Sequence, residues 1–182
     1  MRVTYRRELK MKEHLDRLGV ETFIPMRYEV VERDGERHRQ LVPAIHNLIF
    51  VHASQERITG LKISHAECEP LRYIMRPPSV EGDRPRGILH VPDREMDNFL
   101  RVARVEDDRV LWLDCGEYLR QEGRRVLITG GPFAGVEGVI KRVKKNRHVV
   151  VQVEGVAAVA IAYVPREWLA EAESKRNKKK WL

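Results

Sequence analysis

The sequence predicts an α+β protein with two domains, a sandwich of helices and strands followed by a small β-barrel. A chain of 182 residues is longer than the usual compact domain, so one large domain and two small ones are the options. Up to about Val105, apolar segments of strand length alternate with amphipathic helical patterns. From Tyr118 onward, β-branched residues alternate between glycines, and no helical period occurs before Pro165. This change of pattern predicts the domain boundary.

The first domain begins with an amphipathic helix. Residues Arg7 to Leu18 place Met11, Leu15 and Leu18 on one helical face, with charged residues elsewhere. Gly19 follows at the position where a helix usually ends on a left-handed residue. We therefore expect a helix that packs one face on a sheet.

Extended segments follow this helix. Val20 to Tyr28 and Arg37 to Val42 flank Asp34-Gly35, a pair suited to a tight hairpin because both positions tolerate positive φ. Leu48 to Val51 is a continuous apolar run, which is typical of a buried central strand. The sequence thus predicts a hairpin and then a central strand.

A second helix, a strand and a third helix complete the expected domain. Ser54 can cap a helix that ends near Leu61, and Leu71 to Met75 reads as a strand that stops at Pro77-Pro78. Asp93 can cap a third helix, which places Met96, Phe99, Leu100 and Ala103 on one face. This order of elements predicts a ferredoxin-like sandwich over residues 1–105.

The remaining residues divide into a linker, a barrel and a tail. Residues 106–117 are acidic and weakly patterned, so we expect a linker whose apolar part, Val110 to Leu113, docks on one domain. Residues 118–173 contain several short strand patterns and end in an expected helix from Pro165 to Glu173. Residues 174–182 form a basic tail.

The net charge of +7 comes mainly from the second half of the chain, where residues 110–182 hold 14 basic and 8 acidic side chains. The basic residues form two clusters that can bind phosphate backbones without sequence preference. A solvated hairpin and a solubilising tail are the alternative for these clusters. The candidate nucleic-acid-binding residues are Lys141, Arg142, Lys144, Lys145, Arg147, Lys178, Lys179 and Lys180.

The sequence gives little support for a membrane protein, a disulfide-rich protein, a metal-binding protein or an enzyme. No apolar run approaches the roughly 20 residues of a membrane span, and the N-terminus lacks a secretory pattern, so we expect a cytoplasmic protein. Cys68 and Cys115 are the two cysteines and lack a disulfide or zinc-site pattern. His65 and Cys68 are three apart, but no second pair accompanies them. We expect no metal, no cofactor and no catalytic residues.

The most specific motif lies between the first two strands of the barrel. The segment Gly131-Pro132-Phe133-Ala134-Gly135-Val136-Glu137-Gly138 follows a strand pattern that ends at Ile128. Gly131, Gly135 and Gly138 permit backbone angles or close approaches that a Cβ would forbid, and Phe133 can close the barrel end. No Gly-Lys-Ser/Thr follows, so a phosphate-binding P-loop does not fit. The segment resembles the KOW motif, which implies an SH3-like barrel.

The first domain then distinguishes between proteins that carry such a barrel. The order of its elements, with Phe23-Ile24-Pro25-Met26, the Asp34-Gly35 hairpin and the stretch Val42 to Val51, resembles the N-terminal domain of the NusG family. The Ala44-Ile45-His46-Asn47-Leu48 variant and Pro92 to Met96 look closest to specialised paralogues that serve surface-polysaccharide operons in Bacteroidetes.

This resemblance implies a transcription elongation and antitermination factor that increases processivity. In the family, the first domain binds the clamp helices of the largest RNA polymerase subunit, and the matching residues here are Ile45, His46, Asn47, Leu48 and Phe50. Ile45 and Leu48 are expected to face solvent, whereas Phe50 also fits the core. Implied partners are nascent RNA or upstream DNA, and a small-subunit ribosomal protein or Rho for the barrel. We expect a monomer.

The alternative function is a KOW-type, RNA-binding, ribosome-associated protein, which the basic barrel would suit but which leaves the first domain unexplained. An enzyme is the third class. The seven histidines are scattered and no serine lies in a nucleophile motif, so catalysis is not expected.

Overall fold

The computed structural model describes residues 1–76, 87–105, 107, 109–113, 123–153 and 156–172. The chain divides into two compact units, Met1–His90 and Val91–Leu182. In the described ranges, no helix is long and apolar enough to cross a membrane. Pro77-Pro78, the acidic residues from Asp114 to Glu117 and the basic tail lie outside the described residues.

The first unit alternates short strands with two helices. Its helices are α1 (Glu8–Arg17) and α2 (Gln55–Ser64). Short 3-10 turns occupy Thr4–Arg6 and Ala66–Cys68. The strands are β1 (Arg2–Val3), β2 (Glu21–Phe23), β3 (Met26–Arg33), β4 (Glu36–Pro43), β5 (Phe50–His52) and β6 (Leu71–Arg72).

The strands of this unit pair antiparallel. Strand β1 pairs with β6 on one side, and Arg2 forms an isolated bridge with Leu48 on the other. Strand β5 pairs with β2, while β3 and β4 pair with each other from Met26↔Pro43 to Arg33↔Glu36. The apolar run that begins at Leu48 is therefore held between β1 and β2, which agrees with the predicted central position.

The predicted helices of the first unit are confirmed, although α2 ends at Ser64, beyond the expected end near Leu61. Helix α1 buries Met11 and Leu15, and Gly19 takes a φ of 66° just beyond it. The Ser54 hydroxyl accepts a hydrogen bond from the Arg57 N–H at 3.2 Å, which satisfies a free donor in the first turn of α2. The expected strand from Leu71 to Met75 is shorter in the structure and ends at Arg72.

The second unit consists of one helix and a six-stranded antiparallel sheet. Helix α3 covers Asp93–Ala103 and has Pro92 at its N-cap position, so the prediction that Asp93 caps this helix is wrong. The strands are β7 (Val110–Leu113), β8 (Arg124–Ile128), β9 (Glu137–Val143), β10 (Asn146–Val153), β11 (Ala157–Ile161) and β12 (Leu169–Glu171). They lie in the order β12-β8-β9-β10-β11-β7. All five residues of β11 are buried, as expected for the middle of a core.

Helix α3, expected at the end of the first domain, packs in the second unit. Its Phe99 is fully buried, with its ring 6.0 Å from the Trp112 ring on β7. The Asn98 amide donates to the Glu137 carbonyl at 2.6 Å, and its side-chain oxygen accepts from the Glu137 N–H at 2.8 Å. These contacts complete the backbone hydrogen bonding at the start of β9, and the sequence pattern around α3 cannot reveal them.

The prediction of a helix from Pro165 to Glu173 is wrong. Residues Arg166–Trp168 form a single 3-10 turn, and β12 then pairs with β8 from Leu169↔Ile128 to Glu171↔Val126. The edge of β8 offers unpaired backbone groups, and pairing with β12 satisfies them. This tertiary gain outweighs the local helical pattern.

Candidate interaction surfaces

The segment from Ala44 to Phe50 is held in place by the first residues of the chain. Asn47 has a φ of 61°, a conformation that asparagine tolerates better than most residues. Its side-chain oxygen accepts from the Arg6 N–H at 2.9 Å, and its carbonyl accepts from the Val3 N–H at 3.0 Å. Asn47 therefore acts as a structural corner.

Glu8 supports the same corner from the first turn of α1. This glutamate is only 2% exposed. Its Oε1 accepts from the Asn47 N–H at 3.3 Å and lies 3.8 Å from the Nδ1 of His46. A carboxylate near a helix N-terminus is also favoured by the helix dipole. The conformation of the predicted polymerase-binding stretch thus depends on a buried acid that the sequence reading missed.

The stretch itself divides into an accessible and a buried part. His46 is exposed, while Ile45 and Asn47 are half-buried. Leu48, Ile49 and Phe50 are 3%, 0% and 8% exposed. Three consecutive buried residues mean that both faces of this strand are covered. The expectation that Leu48 faces solvent is therefore wrong, and Phe50 takes the alternative, core position.

The hairpin of β3 and β4 presents exposed apolar side chains that the sequence reading did not single out. Arg39 lies on the same face, with its guanidinium 4.3 Å from the centre of the Tyr28 ring. Asp34 and Gly35 form its turn, with φ values of 54° and 80°, which confirms the predicted turn. Tyr28 pairs with Leu41 in the ladder, so Tyr28, Val30 and Leu41 share one face. They are 41%, 65% and 44% exposed. The alternation of Tyr28 and Val30 along β3 was the available signal.

The hairpin of β9 and β10 gathers most of the predicted basic cluster. Lys144 and Lys145 occupy its turn, with φ values of 47° and 72°. Arg142 and Arg147 are directly opposite each other in the ladder. All four side chains are exposed, so this hairpin tip concentrates positive charge, as the sequence predicts.

Lys141 is the exception in that cluster. It is 4% exposed, and its ammonium donates to the Gln152 side-chain oxygen at 3.2 Å. Burial lowers the pKa of Lys141 below its usual range. Because side chains alternate between the faces of a strand, Lys141 and Arg142 cannot both point outward. The prediction that Lys141 belongs to the nucleic-acid-binding surface is therefore wrong.

A groove of about 440 Å³ lies beside the basic hairpin and has a partly positive rim. Arg147 is part of that rim, together with Arg124 and Arg166. Arg124 also forms an ion pair with Glu171 at 2.8 Å. Arg124 and Arg166 lie outside the basic cluster in the sequence. The pairing of β8 with β9, in which Arg124 lies opposite Ile140, brings Arg124 beside the hairpin.

The glycines of the KOW-like motif have the roles that their spacing indicates. Gly131 and Gly135 have φ values of 74° and 84°. A Cβ on Gly138 would lie 2.5 Å from a Val149 methyl group, so the strand crossing requires glycine there. Phe133 is 3% exposed. Pro132 is exposed at the turn.

The motif also makes room for a tryptophan. A Cβ on Gly130 would come within 2.9 Å of the Trp168 ring, and one on Gly131 would clash with the same ring. The Trp168 carbonyl accepts from the Thr129 N–H at 2.8 Å. The glycine loop therefore seats the turn that leads into β12. Lys178, Lys179 and Lys180 lie outside the described residues.

Comparison with known proteins defines the class. A family model described as "Transcription termination factor nusG" matches residues 1–100, and one described as "KOW motif" matches residues 122–154. Among solved structures, the chain is similar to "Domain interaction in Thermotoga maritima NusG", with 20% identity over 94% of each chain and a TM-score of 0.40. A comparison with curated proteins found no match.

An N-terminal NusG domain followed by a KOW motif is the arrangement of a transcription elongation or termination factor. The match over residues 1–100 spans more than half of the chain. The protein belongs to the NusG family.

Proposed function

We propose that this protein is a transcription elongation and antitermination factor that binds RNA polymerase through its first unit and increases processivity in the cytoplasm. The clamp helices of the largest subunit are the proposed contact. The observation that carries the proposal is the exposed face of the β3–β4 hairpin, which presents Tyr28, Val30 and Leu41 together with the Arg39 guanidinium over the Tyr28 ring. Such a face on a two-stranded hairpin gains free energy when a partner covers it.

Ile45 and His46 extend the proposed contact beyond the hairpin. They follow Ala44, the first residue after β4, and they precede the buried strand. The Ala44 N–H donates to the Pro25 carbonyl at 2.8 Å, which ties the start of this segment to the base of the hairpin. A half-buried Ile45 therefore has a fixed backbone from which to contact a partner.

The experiment is a polymerase pull-down with single-charge variants of the full chain. Val30→Glu and Ile45→Glu are expected to reduce capture of RNA polymerase by at least tenfold, because a carboxylate in a desolvated apolar contact is costly. Ile63→Glu is the matched control, since Ile63 is an 83% exposed isoleucine on α2 outside the proposed contact. Equal capture by all three variants, with unchanged circular dichroism, would contradict the proposal.

We propose in addition that the second unit contacts nascent RNA or upstream DNA through the β9–β10 hairpin tip. Arg142, Lys144, Lys145 and Arg147 supply its charge, and no ion pair joins them to another described residue. Arg124 and Arg166 on the neighbouring groove extend the positive surface. The lysines of the tail are proposed to add to this affinity.

The proposal also covers the fold type of each unit, the operon that the protein serves and the partner of the barrel. The neighbour order β6, β1, the Leu48–His52 segment and β2 supports a ferredoxin-like sandwich. The six-stranded sheet of the second unit supports an SH3-like barrel. Service to a polysaccharide operon, and binding of a ribosomal protein or Rho by the barrel, remain proposals drawn from the family resemblance.

A further inference from the structure

Two histidines and a glutamate meet in the first unit, and none of them belongs to the proposed polymerase contact. One potential ligand atom from each of His14, His65 and Glu67 lies within 4.8 Å of the other two. The two imidazole rings meet edge to face, with their centroids 5.7 Å apart and an interplanar angle of 69°. His14 is separated from the other two by some fifty residues of sequence, so its approach depends on the tertiary fold.

The backbone holds all three residues in regular positions. His14 lies in the last turn of α1. His65 ends α2, with its N–H donating to the Leu61 carbonyl at 2.9 Å. The carbonyl of His65 accepts from the Cys68 N–H at 3.0 Å, and this bond closes the 3-10 turn that carries Glu67. The cluster therefore joins the end of α1 to the end of α2.

The burial of the cluster is graded from the interior to the surface. His14 and His65 are half-buried, and Glu67 is exposed. The Nε2 atom of His14 is buried and lacks a hydrogen-bond partner among the described residues. A buried polar atom without a partner costs free energy, so its retention calls for an explanation. An edge-to-face ring contact leaves that nitrogen unsatisfied.

We propose that His14, His65 and Glu67 form a zinc site in which His14 binds through Nε2. Two imidazole nitrogens and a carboxylate oxygen are ligands that Zn²⁺ accepts, whereas Mg²⁺ and Ca²⁺ prefer oxygen alone. Bound zinc satisfies the buried nitrogen of His14. It also ties α1 to the end of α2, which gives the ion a structural effect.

The spacing requires only a small adjustment. In tetrahedral coordination with bonds of about 2.1 Å, ligand atoms lie about 3.4 Å apart. The observed limit of 4.8 Å is within reach of side-chain rotation, since Glu67 is exposed. The exposed side of the cluster leaves the fourth coordination position to water.

Cys68, which the sequence spacing places beside His65, does not belong to this site. Its side chain is 0% exposed and packs in the apolar core with Leu15, Ile58 and Leu71. Cys68 is thus directed into the core, whereas Glu67, one residue earlier, is directed to the cluster.

Arg17 is a cationic group whose charge acts on Glu67. The Arg17 side chain also donates to the Glu13 carbonyl at 3.4 Å, an exposed contact of little importance to the fold. Arg17→Gln should therefore tighten zinc binding, because it removes a like charge from beside the ion.

The test is zinc binding by untagged full-length protein, measured by equilibrium dialysis against ZnCl₂ and by competition with a chelating dye. One Zn²⁺ per chain is expected, with a rise in the thermal unfolding temperature, because zinc binds the folded state. Glu67→Gln, His14→Gln and His65→Gln should each weaken binding by at least tenfold. Co²⁺ should give the absorption bands of a four-coordinate site.

His52→Gln is the matched control, since the Nδ1 of His52 lies 2.9 Å from a Glu21 oxygen in a pair outside the cluster. Its zinc affinity should equal that of the unchanged chain. Glu67→Gln alters an exposed side chain and keeps the fold, so it decides the matter even if a histidine variant unfolds. Absence of stoichiometric zinc, or unchanged affinity in Glu67→Gln, would overturn the proposal.

Discussion

At the residue scale, the burial of Leu48 shows that this apolar side chain packs in the core and does not form a contact surface for a partner protein. It is 3% exposed and adjoins two further buried residues, Ile49 and Phe50. Its backbone bridges to Arg2, which sets the strand between β1 and β2. The proposed contact with a partner protein therefore uses the more accessible Ile45 and His46.

Replacement of Leu48 by glutamate is therefore expected to unfold the first unit. A buried carboxylate without a partner adds a desolvation cost to the lost packing, together at least about 3 kcal/mol. Thermal unfolding followed by circular dichroism measures this loss. Leu48→Met, which keeps the volume, should cost under about 1.5 kcal/mol. A Leu48→Glu variant that retains its unfolding temperature would place Leu48 on the surface after all.

At the element scale, the β9–β10 hairpin shows how the period of a strand distributes charge. The basic residues are nearly consecutive in the sequence, yet the pleat sends Lys141 inward and Arg142 outward. The turn at Lys144 and Lys145 adds two exposed cations. Of the five basic residues that cluster in the sequence, four are exposed in the structure.

Replacing Arg142, Lys144, Lys145 and Arg147 together by glutamine should flatten the salt dependence of RNA or DNA binding. Each lost phosphate contact is expected to reduce the slope of log affinity against log salt by about 0.7 to 0.9. Fluorescence anisotropy with a single-stranded RNA at several salt concentrations measures the slope.

Lys141→Gln is the control from within the same cluster. The buried Lys141 donates to Gln152, so its replacement should leave the slope unchanged. A flattened slope in Lys141→Gln, or an unaltered slope in the fourfold variant, would show that the outward-facing charges do not carry the affinity. The effect of Lys178, Lys179 and Lys180 on the slope stays a separate prediction of the same kind.

At the scale of the whole molecule, the two compact units meet in sequence at His90 and Val91. Helix α3 and strand β7 are part of the second unit: Phe99 contacts Trp112, and β7 pairs with β11 from Val110↔Ile161 to Leu113↔Ala158. A division at residue 105 would remove α3 from this packing.

Fragments of the second unit test the division. Residues 91–182 should unfold cooperatively and with greater stability than residues 118–182, because the shorter fragment lacks α3 and β7 and exposes the edge of β11. The tryptophans at 112, 168 and 181 report this unit by fluorescence, although the shorter fragment keeps only the last two. Circular dichroism therefore compares both. Equal stability would support the division at residue 105.

Extending the first fragment from 1–90 to 1–105 provides the reciprocal measurement. If α3 stabilises only the second unit, the added residues should not raise the unfolding temperature of the first. A clear rise would assign α3 to the first domain, as its sequence position indicates.

The sequence by itself determined the elements whose signals are local. Helix α1 with Gly19, the Asp34-Gly35 hairpin, the Ser54 cap and the glycine loop each follow from backbone preferences or short-range periodicity. Those signals, together with element order, also sufficed for the resemblance to the NusG family, which the match over residues 1–100 confirms.

Only the tertiary structure decided the features that depend on residues far apart in the chain. Burial of Leu48 requires β1 and β2 on either side, and β12 replaces a helix because β8 offers a free edge. The approach of His14 to His65 likewise depends on how α1 and α2 end side by side. Local preferences amount to a few tenths of a kcal/mol per residue, and long-range packing and pairing readily exceed them.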